Sequence, residues 1–201
     1  MRPNLPAEYC LFDTTIGCCG IAWIESTSSG ALPRVARIQL PEATPEATAS
    51  RIAHGFEDRP PSPPPPLLGD LVARIQAHLR GDIQDFLDVR VDLTGVEWFA
   101  REVYQATRAI PAGRTTTYGA LARRMGQPMA ARAVGQALGW NPAPLIIPCH
   151  RVVGANGRPG GFSAHGGLET KERLLAIEGV PWPEGPGIAQ FQIPFDQPIP
   201  G

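Results

Sequence analysis

The stretch TYGALARRMGQPMAARAVGQAL, residues 117–138, decides the fold. Tyr118–Met125 has the spacing of a short helix, Gly126–Pro128 breaks it, and Ala130–Leu138 takes the helical pattern up again. Two short helices joined by a tight glycine-containing turn make a helix-turn-helix. Upstream, Val96–Ile110 reads as a longer helix closed by the turn Pro111-Ala-Gly-Arg114. Downstream, Lys171–Ile177 reads as a last helix that ends at Glu178–Gly179.

The N-terminal part has a different pattern. Tyr9–Asp13 and Gly17–Glu25 read as two strands around the turn Thr14–Gly17, and Val35–Leu40 as a third after a Ser/Gly loop. A helix is expected near Ala47–Gly55, followed by Arg59-Pro-Pro-Ser-Pro-Pro-Pro-Pro66, which must be an extended loop. Leu68, Leu71, Val72, Ile75 and Leu79 give Leu67–Arg80 an apolar helical stripe, and Val89–Leu93 is strand-like. The expected fold class is therefore α/β in the α+β sense. It comprises a small sheet-bearing domain at 1–92, a helical domain with a helix-turn-helix at 93–182, and a Pro-rich tail at 183–201.

Composition narrows the partners. No run approaches the ~18 apolar residues of a membrane span, and the start MRPNLPAEYCLFDTTIG has no secretory pattern, so a cytoplasmic protein without a membrane partner is expected. Net charge is −1, but residues 1–100 hold 8 basic and 13 acidic side chains while 101–173 hold 10 basic and 3 acidic. A local basic surface is what phosphate binding requires. Cys10, Cys18 and Cys19 with His54 or His78 fit no standard metal spacing, so small buried thiols and no metal are expected there.

The chemistry concentrates between Asn141 and Gly179. Asn141-Pro-Ala-Pro-Leu-Ile-Ile-Pro-Cys149-His150-Arg151-Val-Val153 delivers a cysteine beside a histidine and an arginine, and Asn156–Gly157 suggests a tight turn. A thiol becomes nucleophilic when a base or nearby cations favour the thiolate. His150 is the candidate base, and a carboxylate such as Glu178 would orient it.

These residues resemble those of the O6-alkylguanine-DNA alkyltransferases, the methylated-DNA–protein-cysteine methyltransferases. The resemblance rests on Pro148-Cys-His-Arg-Val152, Asn141-Pro142, Gly160-Gly-Phe-Ser163, Leu174-Leu-x-x-Glu178-Gly179, Thr117-Tyr-Gly-x-Leu-Ala122 and Ala131-Arg-Ala-Val-Gly135. It is close over about 96–180 and general over 1–95. It implies DNA repair by direct damage reversal. Cys149 would irreversibly accept the alkyl group of O6-alkylguanine, or of O4-alkylthymine, in one turnover and without a cofactor. His150 would draw the thiol proton through a water, with Glu178 orienting its ring. The partner would be double-stranded DNA entered through the minor groove with base flipping, and the protein a monomer. Arg132 matches the finger that fills the vacated stack, and Ala130, Ala131, Ala133 and Gly135 permit close approach to DNA. Tyr118 matches the residue that bonds ring nitrogen 3 of the guanine. Asn141 matches the hinge between the recognition helix and an active-site strand. Carbonyls of Cys149 and Val152 would accept from the guanine amino group, Ser163 would face its oxygen, and Phe162 would wall the pocket. Arg151 is expected in an internal ion pair.

Two departures bear on the pocket. Phe162 replaces the tyrosine of many relatives, and the loop between Ser163 and Lys171 is two residues longer than the short form, with His165 in it. A lesion-binding protein that repairs nothing is the alternative, but such proteins lack the acceptor cysteine that Cys149 supplies. A Cys-His hydrolase leaves Arg132 and the basic helices unexplained.

Overall fold

The computed structural model describes residues 7–25, 33–54, 59–155 and 158–180. The chain divides into two units, Met1–Gly95 with Pro142–Pro144, and Val96–Asn141 with Leu145–Gly201. The 26–32 loop, Asn156–Gly157 and the 183–201 tail lie outside the described residues, as does Gly55.

In the first unit, β1 (Ala7–Thr14) and β2 (Gly17–Ile24) form an antiparallel hairpin whose register runs from Ala7↔Ile24 to Thr14↔Gly17. The two-residue turn is closed by Thr14 Oγ1 donating to Gly17 O at 2.7 Å. Gly17 has a φ of 128°, a value that favours glycine. β3 (Arg34–Gln39) pairs antiparallel with β2 through an irregularity at Ala22/Trp23. Exposed strand edges invite unwanted pairing, and here both outer strands gain further partners. Ser62 N donates to Tyr9 O of β1 at 2.9 Å, and Ile38 N of β3 donates to Pro142 O at 2.9 Å.

α1 (Pro45–Ala53) is capped by Thr44, whose side chain accepts from Ala47 N. It packs Ile52 and Ala53 against Tyr9 and Ala22. The Arg37 guanidinium reaches its C-terminal carbonyls, including His54 O at 3.0 Å. α2 (Pro66–Leu79) buries Leu68, Leu71, Ile75 and Leu79. Val72, expected on the same stripe, is half-buried. Pro66 was expected in the extended loop but opens the helix, because a first-turn residue has no intrahelical use for an N–H. The strand expected at Val89–Leu93 is reduced to one bridge, Val35↔Val91. There the Asp92 carboxylate is engaged by Arg34 at 3.2 Å and by Thr94 at 2.8 Å, which ends the ladder in a local turn.

The second unit starts with α3 (Trp98–Arg108), whose Tyr104 hydroxyl donates to Ala137 O at 3.0 Å. The turn Arg114 N→Pro111 O leads to β4 (Thr116–Thr117) and α4 (Tyr118–Arg124), which Thr117 caps through Ala120 N at 3.1 Å. Gly126, at a φ of 72°, turns the chain into α5 (Ala131–Gly139), which buries Val134, Ala137 and Leu138. A 3-10 turn at Cys149–Arg151 leads to β5 (Val152–Val153), parallel to β4, and α6 (Leu168–Ile177) closes the unit.

Gly20 on β2 faces Ile52 so closely that an added Cβ would lie 3.0 Å from its Cγ1. Ile52 is fully buried and cannot withdraw. Gly20→Ala should therefore destabilise the chain by about 1–2 kcal/mol, overpacking outweighing the entropy gain. Urea unfolding of the full chain measures this; an unchanged midpoint would contradict the packing.

Candidate active site

The segment before the cysteine is fixed by burial and by one amide. Leu145, Ile146 and Ile147 are buried, and Leu145 holds a φ of 75°, a costly conformation for leucine that surrounding packing must enforce. Asn141 Nδ2 donates to Ile147 O at 2.7 Å and to Cys149 Sγ at 3.1 Å. The resemblance implied an active-site strand after the Asn141 hinge. Instead Cys149 N→Ile147 O at 2.8 Å and Arg151 N→Pro148 O at 2.9 Å wind the cysteine into the 3-10 turn.

That turn points two cationic or basic side chains at one acid. His150 Nε2 lies 2.9 Å from Glu178 Oε1. Arg151 donates Nε to Glu178 Oε2 at 2.9 Å and Nη2 to Oε1 at 2.7 Å, and its Nη1 donates to Ile110 O at 2.5 Å. All three residues are buried. Arg151 is thus in an internal ion pair, and Glu178 at the C-terminal cap of α6 serves the two residues that follow the cysteine.

Tyr118 opens α4 and stands between two glycines. A Cβ on Gly160 would lie 2.8 Å from its ring, and one on Gly135 of α5 would lie 3.7 Å away. The hydroxyl makes a long 3.4 Å contact with Gly161 O. Burial, and then the charge of Cys149, push its phenol above the ordinary value, so it stays a hydrogen-bond donor.

Lys171 was read from the sequence only as a helix residue in a basic segment. It is the chain's single lysine and is fully buried. Its Nζ donates to Val152 O at 2.7 Å and to Pro159 O at 2.6 Å, and lies 5.8 Å from the Tyr118 ring centroid. Burial lowers its pKa to about 8, against the opposing pull of Cys149. Burial likewise raises the Cys149 thiol, while the Asn141 hydrogen bond, the Lys171 charge and the amides of Cys149 and His150 act to lower it. Burial wins, so the resting thiol is protonated near neutral pH.

The remaining expected residues occupy the same unit. Arg132 is exposed on α5, with Ala130, Ala131, Ala133 and Gly135 half-buried. Val152 is fully buried, and its carbonyl and that of Cys149 each already accept one bond, from Lys171 Nζ and Val152 N. A carbonyl has a second lone pair, so both can take one more donor. Phe162 is half-buried; Ser163 and His165 are exposed, and Thr170 Oγ1 donates to His165 O at 2.6 Å within the longer loop. Cys10, Cys18, Cys19 and Cys149 are free thiols, and among the described residues no three acidic, His or Cys side chains gather as metal ligands.

Lys171→Met should raise the pKa of Cys149, because a cation that favours the thiolate is removed. In the wild type that help fades as pH rises through about 8, where Lys171 itself loses its proton. Iodoacetamide labelling of Cys149 should thus be several-fold slower in the variant near neutral pH, with the two rates converging as pH rises above about 8. A superimposable profile, with unchanged melting, would deny the coupling.

The 6-O-methylguanine DNA methyltransferase, DNA binding domain model matches residues 98–180. A methylated-DNA–protein-cysteine methyltransferase of Mycolicibacterium paratuberculosis is 46% identical over 107 residues, 53% of this chain and 62% of that relative, so the match spans less than two thirds of its length. The Mycobacterium bovis protein of the same description is 42% identical over 117 residues, 58% of this chain and 68% of the relative. The crystal structure of Mycobacterium tuberculosis OGT in complex with DNA aligns with a TM-score of 0.64 and 33% identity, covering 86% of this chain and 93% of that one. The Pyrococcus kodakaraensis O6-methylguanine-DNA methyltransferase aligns with a TM-score of 0.64 and 28% identity over 87% of this chain and 100% of that one. With its mixed sheet-and-helix fold and its Pro-Cys-His-Arg turn, the chain belongs to the methylated-DNA–protein-cysteine methyltransferase family.

Proposed function

We propose that this protein repairs DNA by moving the alkyl group of O6-alkylguanine, and of O4-alkylthymine, onto Cys149 in a single irreversible turnover. The observation that carries this reading is the thiol itself, held at 3.1 Å by Asn141 Nδ2 beside the buried His150–Glu178–Arg151 network. The DNA-bound relative supports duplex DNA as the partner. The free thiols support a reducing compartment, the cytoplasm, and the reading assigns the reaction to a monomer.

In the proposed reaction the nucleotide is rotated out of the duplex, because a buried sulfur cannot reach a stacked base. Arg132 fills the space left behind, and the small residues Ala130, Ala131 and Gly135 let α5 approach the minor groove. The thiol proton passes through a water to His150, whose ring is oriented by Glu178. Sγ then forms a bond to the alkyl carbon as the carbon–O6 bond breaks. The electron pair goes to the purine, which Tyr118 stabilises at nitrogen 3 and which regains a proton to leave as guanine. The second lone pairs of the Cys149 and Val152 carbonyls receive the amino group, Ser163 faces O6, and Phe162 supplies an apolar wall. The sulfur keeps the carbon as a thioether, so the chemistry asks for no cofactor. A lesion-binding role without transfer is disfavoured by the presence of Cys149 with its proton relay.

Incubation with O6-benzylguanine should add one benzyl mass to the intact protein, on the Cys149 peptide, and Cys149→Ala should add none. Unmodified wild-type protein after prolonged incubation would overturn the assignment. Arg132→Ala should slow repair of a methylated duplex by tenfold or more and reaction with the free base much less. Equal slowing of both would remove the finger role.

A further inference from the structure

The exposed side of α5 carries two apolar side chains that the transfer chemistry does not use. Met129, just before the helix, is 94% exposed and Trp140, at its C-terminal cap, is 82% exposed. Met129, Arg132, Gln136 and Trp140 recur every three to four residues and are all exposed, whereas Val134, Ala137 and Leu138 are buried. Arg132 and Gln136 lie one turn apart on the exposed side of α5, and Met129 and Trp140 flank its two ends. Trp140 also precedes Asn141, whose amide holds Cys149 Sγ.

We propose that Trp140, assisted by Met129, is a DNA contact that packs its indole on the deoxyribose and base edges of the duplex. The inference rests on the repair reading above and extends it to residues that the reading leaves unused. Charge supports DNA as the occupant: between Val103 and Leu168 the chain has six arginines besides the buried, ion-paired Arg151, and no aspartate or glutamate. A second copy of this surface would bring like charges together. A phosphate can engage only the N–H of an indole, whereas the deoxyribose and base edges give its apolar face a surface to pack on. The helix rise puts Trp140 about 12 Å along α5 from Arg132, within the span of a few base pairs. Trp140 thus anchors the duplex beside the nucleotide that Arg132 displaces, and it does so independently of sequence.

Fluorescence anisotropy with a duplex containing O6-methylguanine tests this, with benzyl transfer measured in parallel. Trp140→Ala should weaken binding by about tenfold, Trp140→Phe should retain most of the affinity, and the slope of log Kd on log salt should stay that of the wild type because no phosphate loses its partner. Leu67→Ala, which removes an exposed apolar side chain of the first unit, should bind as the wild type does. Wild-type affinity in Trp140→Ala overturns the inference alone if benzyl transfer is intact. A dimer that Trp140→Ala dissociates with DNA affinity unchanged means that a second copy covers this face, which also overturns it. A wild type that neither accepts benzyl nor binds duplex removes the repair reading and this inference together.

Discussion

A carboxylate with both oxygens out of water must be matched by donors, and Glu178 meets that demand with two consecutive residues. His150 and Arg151 reach it together only because the 3-10 turn directs adjacent side chains toward the same cap of α6. The third nitrogen of Arg151, Nη1, donates to Ile110 O, which ties the turn to the end of α3. One acid thereby fixes the backbone on which the sulfur sits, the orientation of the imidazole and the placement of two helices. A buried pair of this type adds little net stability over an apolar substitute, but loss of one partner is costly. Its value here is geometric.

The electrostatics of the thiol follow from a conflict between burial and charge. Enclosing Cys149 disfavours its thiolate more than Asn141, Lys171 and the turn amides favour it, and so the protein keeps a protonated thiol at rest. Under the proposed reaction this keeps the sulfur unreactive until substrate arrives. Lys171 pays a similar burial cost, which brings its pKa to about 8 and makes the local field pH-dependent where an arginine would not. Three carbonyl contacts, two of them short, hold that ammonium in place of water.

Much of this was legible in the sequence because local rules and tertiary outcome agreed. The β1–β2 hairpin, the helix stripe of α2 and the paired helices α4 and α5 follow from alternation, helical spacing and glycine turns. Val89–Leu93 misled because its alternation predicts a strand, whereas Asp92 spends its carboxylate on Arg34 and Thr94 and stops the ladder after one bridge. The Cys149 turn was hidden by the flanking valines and isoleucines, whose strand preference is overruled by the proline at 148 and by Asn141 holding Ile147 O. Lys171 was missed although a signal existed: in a chain whose other cations are all arginine, one lysine marks a place where a compact, titratable charge is needed. The doubling of Glu178 onto both His150 and Arg151 had no signal in spacing, since it depends on the direction of side chains across a fold.

The proposed transfer, which would leave the alkyl group bonded to the protein's own sulfur, sets different demands from those on a turnover enzyme. Lids and hinges usually serve entry and product release, and under the proposed reaction only an unmodified base would have to leave. The site can therefore be rigid, and the structure around it is over-determined accordingly. Leu145 is held at positive φ, Asn141 binds both the backbone and the sulfur, and Tyr118 is set against Gly160 where even one methyl group would collide. Rigidity of this kind favours one alignment of sulfur, carbon and leaving oxygen, the geometry a displacement reaction rewards. In the proposed reaction adaptability would come from the DNA, whose nucleotide would do the moving, and from the exposed face of α5, where Arg132 and Trp140 extend into solvent.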